Sequence, residues 1–142
     1  MKGLELKIES IADIPSAAKE IFDFLQLNNR RQIAFYGEMG AGKTTLINAI
    51  LNHFKIDDHV SSPTFSIINE YFSEEYGKVY HCDFYRINNP KEALEIGVEE
   101  LFEEDSWCFV EWPEKLGNLL PQNFVSLKIR EENACRLIEI KL

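Results

Sequence analysis

Basic residues are scarce in this chain. Its 142 residues carry 15 Lys and Arg against 24 Asp and Glu, for a formal charge of −9 at pH 7. A surface that grips nucleic acid collects Lys and Arg into a patch. Here the one adjacent basic pair is Arg30-Arg31, whereas Glu99-Glu100, Glu103-Glu104-Asp105 and Glu131-Glu132 are acidic runs. Such a surface repels tRNA or DNA, which argues against strong direct nucleic-acid binding and suits docking onto a basic protein face. Cysteine is equally sparse. Cys82, Cys108 and Cys135 are widely spaced, with no C-x-x-C pair, so they fit reduced core thiols better than disulfides or a zinc site. No apolar run approaches transmembrane length, and Met1 to Ser10 alternates charged with apolar residues, unlike a signal peptide. A cytoplasmic protein with no membrane association is expected. With no internal repeat, low-complexity tract or Pro/Gly linker, residues 1–142 read as a single domain.

Against that background one motif stands out. Gly37-Glu38-Met39-Gly40-Ala41-Gly42-Lys43-Thr44 satisfies G-x-x-x-x-G-K-[ST], the phosphate-binding loop of P-loop nucleotide hydrolases. At ordinary glycine usage a chance match in a chain of this size is improbable, about one in a few hundred. Its context agrees. Gln32 to Tyr36 is a short apolar strand, and after the loop Leu46, Ile47, Ala49, Ile50 and Leu51 recur with helical spacing. Glycines let the backbone curl its N–H groups around a polyphosphate, and the helix opening near Lys43 adds its positive end. Lys43 is expected to reach the β- and γ-phosphates and the Thr44 hydroxyl to ligate Mg²⁺.

Along the rest of the chain, Leu4 to Ile8 alternates as a strand. Ala18, Ile21, Phe22 and Leu25 mark an amphipathic helix over Pro15 to Leu27. Ser66 to Phe72 and Lys78 to Tyr85 read as an antiparallel hairpin. Pro90 to Leu94 and Val98 to Phe102 are short helices, and Trp107 to Glu111 is a buried strand stopped by Pro113. Phe124 to Arg130 and Cys135 to Leu142 are strands joined near Glu132-Asn133. The expected fold is α/β: a mixed sheet with a parallel centre and antiparallel hairpins, covered by helices on both faces.

Hydrolysis needs more than a phosphate loop: a further acidic group at the metal and a group that orients water. Glu111, ending the apolar run Cys108-Phe109-Val110, is the candidate acid for the metal. In His81-Cys82-Asp83-Phe84-Tyr85-Arg86, strand geometry puts His81, Asp83 and Tyr85 on one face, so Asp83 could point at the nucleotide. The same geometry argues against a His-Cys-Asp metal site, because neighbouring residues point apart. Thr64, after Ser61-Ser62-Pro63, sits where many P-loop proteins carry a segment that senses the γ-phosphate, although a proline-stiffened turn explains it equally. Trp107 reads as a core aromatic.

Taken together, GEMGAGKTT, SSPTF followed by NEY, HCDFYRI, EALEIGVEELF and FVEWPEKL resemble the TsaE family in order and spacing, across about residues 37 to 116. That family comprises small bacterial ATPases required for threonylcarbamoyl-adenosine modification of tRNA. The resemblance implies a P-loop fold, ATP with Mg²⁺, and low intrinsic ATPase activity stimulated by protein partners. Those partners would be the transferase subunit TsaD and its companion TsaB. It further implies that Glu38, Met39, Gly40, Ala41, Gly42, Lys43, Thr44 and Thr45 hold the phosphates and that Thr44 and Glu111 hold Mg²⁺. Asp83 would be the catalytic-site acid, Thr64 would lie in the switch-like segment, and Trp112 follows the metal glutamate. The residues that contact adenine fall in the weakly matching ends.

Three other readings share the loop. A small-molecule kinase would need several basic residues over the transferred phosphate, and of the five arginines only Arg86 lies in a candidate motif. A GTPase would carry an N-K-x-D base-reading sequence, which is absent. A nucleotide-dependent scaffold would tolerate loss of Lys43.

Overall fold

Alternation shapes the first strand. In β1 (Gly3–Ile8), Leu4, Leu6 and Ile8 turn toward the core while Gly3, Glu5 and Lys7 face solvent. The computed structural model describes residues 3–56 and 67–142. After a 3-10 turn at Ile11–Asp13, closed by the Ser10–Asp13 capping box, the helix α1 (Ile14–Leu27) buries Ala17, Ala18, Ile21, Phe22 and Leu25. The strand β2 (Gln32–Tyr36) leads into the glycine loop and the helix α2 (Lys43–Leu51). The hairpin follows as β3 (Ile68–Ser73) and β4 (Gly77–Asp83), then the short helices α3 (Pro90–Glu95) and α4 (Val98–Glu103). β5 (Trp107–Glu111) precedes a 3-10 segment at Pro113–Leu119, and β6 (Val125–Glu132) and β7 (Cys135–Lys141) close the chain.

Among the described residues, seven strands make one sheet in the order β1-β7-β6-β2-β5-β4-β3. β2 lies between β5 and β6, parallel to both, and β4 runs parallel to β5. The pairs β1–β7, β6–β7 and β3–β4 are antiparallel. The expected mixed sheet is therefore present, with helices on both faces. One face packs Ile33, Phe35, Phe109 and Leu127 against α1 and α2. There Phe22, Phe54 and Trp107 interlock, Phe54 meeting Trp107 edge-on at 4.8 Å between centroids. Trp107 is the core aromatic expected. The opposite face packs Ala34, Cys82, Cys108 and Val110 under α3, α4 and the 3-10 segment. All three cysteines are free thiols, and burial pushes the Cys108 thiol well up, with its Cys82 contact adding to the shift.

Several strand ends shift by one or two residues from expectation, and two of these shifts have a visible cause. β4 stops at Asp83: the Phe84 N–H makes a last bond to the Glu111 carbonyl at 3.2 Å, and the chain then turns, with the Tyr85 N–H on the Asp83 carboxylate and the Ile87 N–H on the Phe84 carbonyl. Tyr85 therefore leaves the sheet rather than sharing a face with His81 and Asp83; it packs on Trp112 at 5.0 Å. The last hairpin turns one residue later than expected, at Asn133-Ala134, both with positive φ (51° and 67°). That is the backbone hand a tight two-residue hairpin requires. Ser66 and Thr64 lie outside the described residues.

Candidate functional site

The carboxyl ends of β2, β4 and β5 converge on one edge of the sheet. Such an edge, where neighbouring connections diverge, is where open α/β sheets build their clefts. A cleft of about 790 Å³ opens there. The glycine loop and the start of α2 form its floor, and Asp83, Glu111 and Trp112 form one wall. The other wall comes from the far ends of the chain: Ile8, Ile11 and Ile14 on one side, Ile129 and Arg136 on the other.

Local sequence explains the floor. Gly42 caps α2 at φ 104°, a left-handed conformation that strains any residue with a side chain. At Gly37 a Cβ would lie 2.7 Å from the Ile129 carbonyl oxygen, so only glycine lets the loop leave β2 against β6. The Ala41 N–H closes the loop onto the Glu38 carbonyl at 3.0 Å. The first amides of α2, at Lys43, Thr44 and Thr45, have no partner within the helix and sit at its positive end. Met39 through Thr45 line this cleft; Glu38 instead borders a separate recess of about 500 Å³ with Tyr36, Lys128 and Arg130.

Lys43 is buried under this floor. Its ammonium donates to the Gly37 carbonyl and lies 3.6 Å from the centroid of the Trp112 ring. Burial lowers its pKa from the ordinary lysine value, opposed by the carboxylates of Glu111, Glu114 and Asp83. Trp112, whose backbone is left-handed at φ 56°, lies with its ring over the lysine.

The acids gather as β5 pairs with β4, which sets Asp83 beside Glu111. Thr44 Oγ1 donates to Glu111 Oε1 at 2.7 Å. The other oxygen, Oε2, lies 2.7 Å from His81 Nε2, and both side chains are buried. Asp83 accepts the Tyr85 N–H at 3.0 Å. Its pKa is raised, chiefly by burial and further by Glu111, while the Tyr85 hydrogen bond works the other way. Cys82 points to the opposite face, into the other core, so His81, Cys82 and Asp83 do not converge.

Motif reasoning does not assign His81 or Arg136 to the site, yet both belong to it. Arg136 Nη1 donates to the carbonyl of Ala41 and, at 3.2 Å, to that of Gly40, and Nη2 lies 3.5 Å from Glu131. One signal marks it: on β7 Arg136 holds the inward phase that Ile138 and Ile140 continue, an odd place for a guanidinium. Arg86, too, lines the cleft, so its cations are not limited to Lys43.

The donor set suits a nucleotide with a hard divalent cation. Thr44 and Glu111 offer oxygen ligands, which Mg²⁺ takes one or two at a time, completing its shell with phosphate and water. Among the described residues no three or more His, Cys, Asp or Glu are grouped to hold a metal by themselves.

The parallel centre, the glycine loop after β2 and the helix that follows define a P-loop NTPase-type α/β protein. A crystal structure of YdiB from Bacillus subtilis superposes with a TM-score of 0.72 at 25% identity, covering 98% of this chain and 84% of that one. Sequence comparison narrows the class. The family described as "Threonylcarbamoyl adenosine biosynthesis protein TsaE" matches residues 8–138. The tRNA threonylcarbamoyladenosine biosynthesis protein TsaE of Haemophilus influenzae is 36% identical over 119 residues, 82% of this chain and 74% of the relative. That of Rickettsia typhi is 38% identical over 108 residues, 74% of this chain and 73% of the relative. The chain belongs to the TsaE family and so to tRNA threonylcarbamoyladenosine biosynthesis.

Proposed function

We propose that this protein binds ATP with Mg²⁺ in the cleft, hydrolyses it slowly, and uses the cycle to reset the TsaD–TsaB transferase between turnovers. The observation that carries the nucleotide reading is the pairing of Thr44 with Glu111 at 2.7 Å, at the mouth of the loop from which α2 starts. Met39 through Thr45 wrap the phosphates, and Lys43 moves from Gly37 and Trp112 to the β- and γ-phosphates. Thr44 and Glu111 hold the cation, which when bound offsets charge on the phosphate oxygens. Asp83 orients the attacking water. The base lies against the apolar wall of Ile8, Ile11, Ile14 and Met39, where Ile11 is 85% and Met39 62% exposed. Thr64 keeps its place in the switch-like segment in this reading, on the family resemblance alone.

The acidic balance of −9 supports action through proteins rather than on tRNA directly. The energy of the cycle acts as a population shift in the partner, not as transfer of a group. The test is a modification assay with purified transferase, tRNA and the activated donor, with and without this protein and ATP. Repeated turnover should require both, and ATP hydrolysis should rise when the transferase subunits are added. Full-rate turnover without them would refute the reading. Strong stimulation by a small-molecule acceptor instead would favour the kinase alternative.

A further inference from the structure

His81 has no task of its own in the core. Its side chain is fully buried, yet Nδ1 has no hydrogen-bond partner among the described residues. The Nε2 contact to Glu111 is thus the single polar contact shown for the ring. A buried polar group that leaves half its hydrogen-bonding capacity unmet costs more than an apolar residue of similar size. Packing alone would favour phenylalanine here, next to Phe109 in the adjacent strand. What the imidazole adds is a donor aimed at one oxygen of Glu111.

That donor divides the carboxylate. Oε2 is taken by His81 at 2.7 Å, and this leaves Oε1 facing Thr44 at 2.7 Å and the cleft beyond it. Without the imidazole, the glutamate at the end of β5 could rotate about its side-chain bonds and lose its alignment with Thr44. We propose that His81 is a positioning residue for Glu111, fixing which oxygen meets the divalent cation and so setting the affinity for the nucleotide-bound metal. Residues in contact with a metal ligand typically change metal affinity about 10- to 100-fold when removed. The proposal rests on the reading of Thr44 and Glu111 as the metal ligands.

The test measures Mn²⁺ binding by electron paramagnetic resonance in the presence of a non-hydrolysable ATP analogue. It compares the full chain with His81→Phe, which keeps a ring without the donor, and His81→Gln, whose amide can donate from a similar position. Nucleotide affinity in EDTA is measured alongside. His81→Phe should weaken Mn²⁺ binding at least ~10-fold with metal-free nucleotide affinity within about twofold, and His81→Gln should recover most of the loss. His81→Leu gives the same comparison if the phenyl ring does not fit. Unchanged Mn²⁺ affinity in the variant without a donor would overturn the proposal. So would equal losses in His81→Phe and His81→Gln, or equal loss of metal and metal-free nucleotide binding. If the unaltered protein takes up no Mn²⁺ with nucleotide, the metal reading falls and this proposal with it.

Discussion

Replacing Glu111 by glutamine keeps shape and removes charge, and the groups around it set the consequences. The carboxylate accepts from Thr44 and from His81, each at 2.7 Å, in a site with about 2% of the residue exposed. A glutamine has one acceptor oxygen and one NH₂. If its oxygen stays with His81, the NH₂ faces Thr44 and the cation; if it flips, the NH₂ meets His81 Nε2, which accepts only by moving the ring proton to the buried, unpartnered Nδ1. The first arrangement is the cheaper, since the Thr44 hydroxyl can turn and accept. Exchanging charge-assisted hydrogen bonds for neutral ones costs about 1 kcal/mol each, partly offset because no charge is then buried. The fold should survive, with a net loss of about 1–2 kcal/mol. Hydrolysis should not, because a donor now points at the metal. Losing such a preorganised electrostatic contact costs about 3 kcal/mol, or ~10² in rate. Single-turnover hydrolysis with protein in excess, at saturating ATP and Mg²⁺, measures this, and a fluorescent nucleotide in EDTA measures binding. Hydrolysis within twofold of the unaltered protein, with nucleotide still bound, would refute the metal role of Glu111.

Lys43→Ala should weaken nucleotide binding at least ~10-fold, the worth of a charge-assisted hydrogen bond. At saturating nucleotide it should also reduce the nucleotide-induced change in Trp112 emission, because the part due to movement of the ammonium now 3.6 Å from that ring is lost; buried Trp107 supplies a constant background. Arg136→Ala removes the donor to the Gly40 and Ala41 carbonyls and should loosen the loop without unfolding the domain. Faster hydrogen exchange at residues 38–42 and several-fold weaker nucleotide binding are expected, and unchanged exchange would count against the clamp. Asp83→Asn tests a pH effect. Burial raises the Asp83 pKa in the folded protein above its ordinary 3.8, so the folded state binds that proton more tightly. Its charge therefore costs stability once pH rises through that interval. Asp83→Asn should melt higher than the unaltered protein near neutral pH, with the gap closing toward pH 3.8. A gap that widens on acidification would contradict the assignment.

Much of the architecture is legible because its signals are local. Alternation in Leu4 to Ile8, the helical spacing of Ala18 to Leu25 and the fully apolar run before Glu111 each reflect what a few neighbouring residues bury. The strand ends that differ are cooperative instead. β4 stops at Asp83 where its partner β5 ends, Trp112 being left-handed, and the Asp83 side chain takes the Tyr85 N–H; an aspartate is a weak turn signal inside HCDFYRI, and the end of β5 lies outside it. Arg136 looks like one more charge in a hairpin until its place in the apolar phase of β7 is noticed.

Contiguous residues were enough to mark a glycine loop between a strand and a helix, since positive-φ glycines and a lysine at fixed offset are local properties. They were also enough to establish the family, because five motifs keep their order and spacing. Of the surroundings of the loop, the nearness of Thr44 to Glu111 followed from the family resemblance, whereas the parts played by His81 and Arg136 came from the folded arrangement. Thr44 meets Glu111 across 67 positions, Glu111 meets His81 across 30, and Arg136 reaches Ala41 across 95. Those meetings depend on β5 and β6 flanking β2 and on β4 lying beyond β5. Strand order is settled by how both faces of the sheet bury their apolar side chains together, an energy shared by the whole core and encoded in no single segment.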